Sequence, residues 1–157
     1  MATAVICSAA ARLVLSYSFA SGDKNPSDRK IGTFNDLHPA GYNECGFLEP
    51  FSWRNIRDLR AGAAWQIKGN WRMVANAHSY WLATVRDGVY VDEGPYVAYN
   101  PDARSSRLGA RILAMTSHPL SSHADIAFGY AKFFAADYLR KFGSMSHDAF
   151  GYVTVRL

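Results

Sequence analysis

Arg12, Arg60, Lys68, Arg72, Arg86, Arg111 and Arg156 share a setting: each falls among polar residues that alternate with apolar ones along the chain. A guanidinium forks onto a carboxylate through two parallel N–H bonds, and rings of Arg and Lys select anions in pores. Asn76 and His78 stand at the same parity in "NWRMVANAHSYWLATVR", residues 70–86, and extend such a basic wall with hydrogen-bonding groups. Asp58 is the chief acid among them. The chemistry implied is the holding and passing of anions. Ser, Asp and His all occur, but no nucleophile-elbow or Cys/His pattern organises them, so no catalytic residue is assigned and an enzyme is not expected. His118 and His123 flank a turn without a third ligand, so no metal is expected. No glycine-rich phosphate loop points to a cofactor. The basic residues are spread over strands instead of forming a nucleic-acid footprint.

Those side chains need strands to position them. Residues 12–20, "RLVLSYSFA", put Leu13, Leu15, Tyr17 and Phe19 on one face and Arg12, Val14, Ser16 and Ser18 on the other. "DLRAGAAWQI" opposes Leu59, Ala61, Ala63, Trp65 and Ile67 to Asp58, Arg60, Gly62, Ala64 and Gln66. Residues 70–86 fit both a strand and a helix face. The short "KGN" link before them suits a tight hairpin, with glycine where positive φ is wanted, and breaks the tie toward strand. "RLGARILAMT" (107–116), "DIAFGYAKFF" (125–134) and "FGYVTVRL" (150–157) follow, the first placing Leu108, Ala110, Ile112 and Ala114 on its apolar face. Short and long connections strictly alternate: "KGN" and "SHPLSSH" against 21–54, 87–106 and 138–148. An up-and-down antiparallel meander of about six strands then carries its short turns at one end and its long loops at the other, as outer-membrane barrels do.

The chain's 157 residues are enough for one domain with a sizeable core; 49% are apolar, 14% aromatic and only 19% charged. No apolar run approaches the length of a membrane-spanning helix, so any span must be a strand. Residues 1–10 are read as an N-terminal extension of unclear role; "MATAVICSAAARL" lacks the basic start of an export signal. Cys7 and Cys45 form no metal-type spacing. A net charge of +4 and a pI near 9.2 favour polyanionic partners. Trp53, Trp65, Trp71, Trp81, Tyr130, Phe133, Phe134 and Tyr138 are candidates for aromatic girdles, with Trp71 and Phe134 the best placed.

"SYSFASGDKNPSDRKIGTFNDLHPAGYNECGF", "RNIRDLRAGAAW", "WRMVANAHSYWLATVRDGVY", "GYAKFFAADYLRK" and "FGYVTVRL" together resemble the C-terminal part of the alginate-export family of outer-membrane β-barrels, over about residues 11–157. The resemblance implies part of a transmembrane barrel in the bacterial outer membrane, conducting an anionic polysaccharide or an acidic solute through a basic lumen. Lining residues would be Arg12, Arg60, Arg72, Asn76, His78, Arg111 and Arg156. Family barrels are larger than six strands, so the missing strands would come from elsewhere, another chain included. This chain ends in Leu157 instead of an aromatic residue and carries Arg111 and Leu113 where the resemblance leads one to expect acids. Two other readings stand beside this one: a soluble barrel or sandwich that binds a ligand between its sheet faces, and a truncated fragment without function of its own.

Overall fold

Alternation of side chains above and below a pleated strand sorts this sequence into two faces, and the computed structural model folds it accordingly. It describes residues 1–7, 11–35, 51–90, 99–140, 142 and 147–155, the last of these by backbone alone. The strands are β1 (Ala2–Cys7), β2 (Ala11–Ala20), β3 (Ile56–Gln66), β4 (Arg72–Leu82), β5 (Arg107–Pro119), β6 (Ala124–Ala135) and β7 (His147–Val155), with one short helix, α1 (Asp137–Arg140). They form one seven-stranded antiparallel sheet in the order β1-β2-β3-β4-β5-β6-β7. The expected all-β meander is therefore present. Residues 2–7 add a strand to the expected set: "ATAVIC" pairs with β2 from Ala2↔Tyr17 to Cys7↔Arg12. Its two faces differ little in polarity, which is why period-two reading passes over it.

The short connections gather at one end. Between β3 and β4 the chain turns through Lys68–Asn70, with Gly69 at φ 74 and Asn70 at φ 62, and the hairpin is closed by Ile67 N–H donating to Trp71 O at 2.7 Å. Residues 21–55, 83–106 and 136–146 connect the strands at the opposite end. β4 stops at Leu82, earlier than the alternation over 70–86 suggests. The cause lies in the next loop: Asn55, at φ 50, accepts from Thr84 N–H and donates to Thr84 O and Gly88 O, pulling the chain out of the sheet.

One face of the sheet carries the large apolar side chains outward. Leu13 is 51% exposed, Phe19 56% and Phe128 50%, and Leu15, Tyr17, Leu59, Ile112, Tyr130 and Phe134 are exposed with them. Leaving a Leu or Phe in water forgoes roughly 1.5–3 kcal/mol each, and a contiguous apolar face of this kind marks contact with a membrane or another protein. The other face is polar at its centre and buried toward the long-loop end. There Ala20, Ile56, Tyr80, Leu82 and Phe133 from the strands meet Phe51, Val89, Leu108, Tyr138 and Leu139 in a small core. Leu108 belongs to this core, not to the outward face assigned by alternation, because a β-bulge between Tyr80 and Trp81 of the β4–β5 ladder shifts the register there. Gly109 makes the bulge possible, since a Cβ at that point would run into the Phe134 carbonyl and the Phe133 ring.

The outward aromatic residues are fewer than expected. Trp65, Trp81, Tyr130 and Phe134 share the apolar face by register, and Trp71 packs on His118 at the short-turn end, ring centroids 4.8 Å apart. Phe133 and Tyr138 are buried in the loop-end core and Trp53 packs against it. Parity separates Phe133 from Phe134, and folding of the loops accounts for the other two.

Candidate functional site

The polar face is built in rows by the cross-strand register. Ser16, Arg60, His78, Arg111 and Phe133 lie opposite one another across β2 to β6, and Ser18, Asp58, Tyr80 and Gly109 form the adjacent row toward the long loops. Arg60 and Arg111 stand on either side of His78 in the first row, and polar groups buried this deeply need acceptor partners. Asp58 supplies one. Its carboxylate lies 3.0 Å from His78 Nδ1, with the His78 and Asp58 side chains only 4% and 10% exposed. Asn76 supplies another, its Oδ1 accepting from Arg60 Nε at 3.4 Å and Nη2 at 3.3 Å. Gly62, opposite Asn76, leaves that amide its space, since a Cβ there would collide with Oδ1. The His78 ring is stacked on Tyr80 at 5.5 Å, and Tyr80 in turn meets Phe51 edge-on at 5.2 Å. Arg111 is 3% exposed.

Toward the short turns the same face opens into a groove of about 220 Å³. Arg12, Arg60 and Arg72 line it together with Asn76, Ser16 and Thr3. Arg12 and Arg72 are exposed, whereas Arg60 is half-buried. The residues predicted from sequence thus divide in two. Arg12, Arg60, Arg72 and Asn76 converge on the groove; His78 and Arg111 sit deeper along the wall, next to the core that the long loops build. Arg156 lies outside the described residues. Lys68 is in the turn, and Arg86 is in a loop, where it donates to Lys24 O at 3.1 Å. Among the described residues no cluster of His, Cys, Asp and Glu is fit to hold a metal ion.

Sequence reading did not single out the bracket that folds the long loops over this wall. Asp87 is its hub: Oδ2 accepts from Asp23 N–H at 2.8 Å and Thr33 Oγ1 at 2.6 Å, while Oδ1 accepts from Gly88 N–H at 2.7 Å and the Tyr90 hydroxyl at 2.8 Å. Burial first, and then this bond to Asp87, push the Tyr90 phenol up to about 12. The signal available in the sequence was "RDG", an aspartate before glycine after a strand, which marks a turn without saying what it will bind.

A polar face with basic side chains, an outward apolar face and a strict meander are compatible with one wall of a membrane barrel. Comparison with protein families decides: the family described as alginate export matches residues 8–152. The chain belongs to the alginate-export family. No curated protein and no solved structure matches it. Membership of the alginate-export family gives the chain a role in alginate export and a place in the bacterial outer membrane, within a family of transport proteins. No helix among its described residues is long and apolar enough to cross a membrane.

Proposed function

We propose that the sheet is one wall of an outer-membrane barrel and that its polar face lines a passage for an anionic polysaccharide of the alginate type, or for smaller acidic solutes. The observation that carries this reading is the convergence of Arg12, Arg60 and Arg72 on one groove of the polar face, opposite a face whose large apolar side chains are exposed. Transport is passive. Guanidinium groups lower the barrier for each carboxylate, and several weak sites in succession let the chain leave again. Arg111 continues the electropositive wall and His78, bonded to Asp58, adds a hydrogen-bonding ring beside it; Arg156 is assigned to the same wall from its sequence position.

Closure requires further strands. The outer edges of β1 and β7 have no partner strand among the described residues, and an unpaired edge in lipid costs several kcal/mol for each exposed backbone group. The remaining strands come from another polypeptide segment. Planar-bilayer recordings test the reading. Channels assembled with the wild-type chain are anion-selective and blocked by oligouronate, and Arg12→Gln with Arg72→Gln lowers that selectivity and weakens the block on the order of tenfold. Cation selectivity unaffected by oligouronate would refute the proposal.

A further inference from the structure

The outward face is apolar along most of its length, yet it carries Lys132, Arg107 and Arg57. Register settles their side: Lys132 is opposite Ile112, while Trp81 is opposite both Arg57 and Arg107. Arg57 and Arg107 lie at the long-loop ends of their strands, while Lys132 lies farther down the face, level with Ile112. Arg57 and Trp65 on β3 are eight residues apart, roughly 26 Å along the strand and, at the tilt usual in barrels, about 20 Å in height, which is most of a barrel's apolar band. Arg57 therefore falls at one margin of that band and Trp65 at the other. Lys132 starts within the band, but its ammonium rises to 5.3 Å from the centre of the Phe134 ring. A lysine that lays its stem along apolar surface and lifts its charge toward the margin is reaching for a polar layer.

At this margin Arg107, Arg140, Ser105 and Phe134 line a pocket of about 250 Å³, with Asp137 its acidic member. Arg140 is held in place by Asp137 Oδ1 at 3.0 Å and Ala135 O at 3.3 Å. No ion pair among the described residues engages Arg107, and its side chain is exposed. Arg57 is held by Leu82 O, which accepts from Nε at 3.0 Å and Nη2 at 2.7 Å. Among the described residues, the cations Arg57, Arg107, Lys132 and Arg140 outnumber Asp137 at this outer rim. The conducted anion travels on the other side of the sheet, so these charges need a different partner.

We infer that this outer rim binds the phosphate headgroup of an anionic lipid in the leaflet next to the long loops, with Arg107 and Arg140 forking onto the phosphate and Lys132 adding charge from below. Phe134 meets the first carbons of the acyl chains. The site rests on the reading that the apolar face meets lipid, but it is independent of what the lumen conducts.

Lipid retention by the full chain, folded in detergent micelles and observed by native mass spectrometry, tests the site. Phosphatidic acid should be retained in preference to phosphatidylcholine, and added salt should weaken the preference. Arg107→Gln with Arg140→Gln should reduce retention of phosphatidic acid on the order of tenfold, whereas Arg12→Gln with Arg72→Gln should leave it unchanged. Inorganic phosphate at the same concentration should not displace the lipid. Equal retention of the two lipids, wild-type retention by the rim variant, loss of retention in the groove variant, or displacement by inorganic phosphate would each overturn the headgroup site. Flotation with vesicles separates the two readings: a chain that floats yet shows no headgroup preference removes only this site. A chain that stays in the aqueous fraction removes the membrane reading as well.

Discussion

Asp58 is the residue on which the polar wall most depends. It is the carboxylate that accepts from His78 Nδ1 in the row next to Arg60 and Arg111, and it is almost fully buried. Removing the acceptor of a buried N–H costs about 1–3 kcal/mol, because the donor is left unsatisfied. Asp58→Ala should therefore lower the unfolding free energy of the lipid-folded protein, read from a urea titration, by an amount in that range, while Arg72→Ala, at an exposed position, should change it little. Tyr90 offers a reading by pH. Its phenol is pushed up to about 12, above the ordinary value of 10.0, so the folded state holds the proton more tightly than the unfolded state does. The stability this gives is complete below pH 10 and is lost as pH rises toward about 12. Absorbance at the tyrosinate band should show a late-titrating tyrosine, and Asp87→Asn should move it down only part of the way, since burial is the larger cause.

At the scale of elements, the loop bracket and the bulge decide how far each strand runs. Asn55 takes a left-handed backbone and makes hydrogen bonds to Thr84 and Gly88 with its side chain. Asn55→Ala loses these bonds, each worth about 1 kcal/mol net, and adds the strain of a left-handed alanine. Limited proteolysis of membrane-embedded protein should then cut within residues 21–35 and 83–90 considerably faster, with the strands still protected. Such an outcome was not legible in the sequence. Asp23 and Asp87 are 64 residues apart and meet through a single bond; no local pattern announces a contact of that separation. The KGN hairpin is the opposite case. Its glycine, its length and its flanking alternation are all local, and Gly69 adopts the positive φ that the spacing calls for.

For the whole molecule, the question is which solvent meets the exposed apolar face. Ile112 lies on that face, between Ala77 on β4 and Lys132 on β6. In lipid, Ile112→Arg should cost about 2–4 kcal/mol, the penalty for an arginine near the middle of a bilayer. The measurement is the folded fraction in a urea titration with vesicles. In a water-soluble sheet the same change at a half-exposed position would cost almost nothing, and that result would put water instead of lipid against the apolar face. Membership in the alginate-export family and the direction of the apolar side chains both favour the first outcome.

Period-two alternation by itself determined the antiparallel meander, the sorting of Leu13, Ala61 and Ile112 from Arg12, Arg60 and Arg111, and the separation of short turns from long loops. Each of these follows from a repeat that spans only a few neighbouring residues, so it can be read along the chain. Tertiary structure alone decided that Leu108 turns into a core, that Phe51 lies over Tyr80, that Arg12, Arg60 and Arg72 meet in one groove, and that Arg107 and Arg140 share a pocket on the outer rim. Those juxtapositions depend on strand register and on loops folding back over the sheet, which bring together residues far apart in the chain.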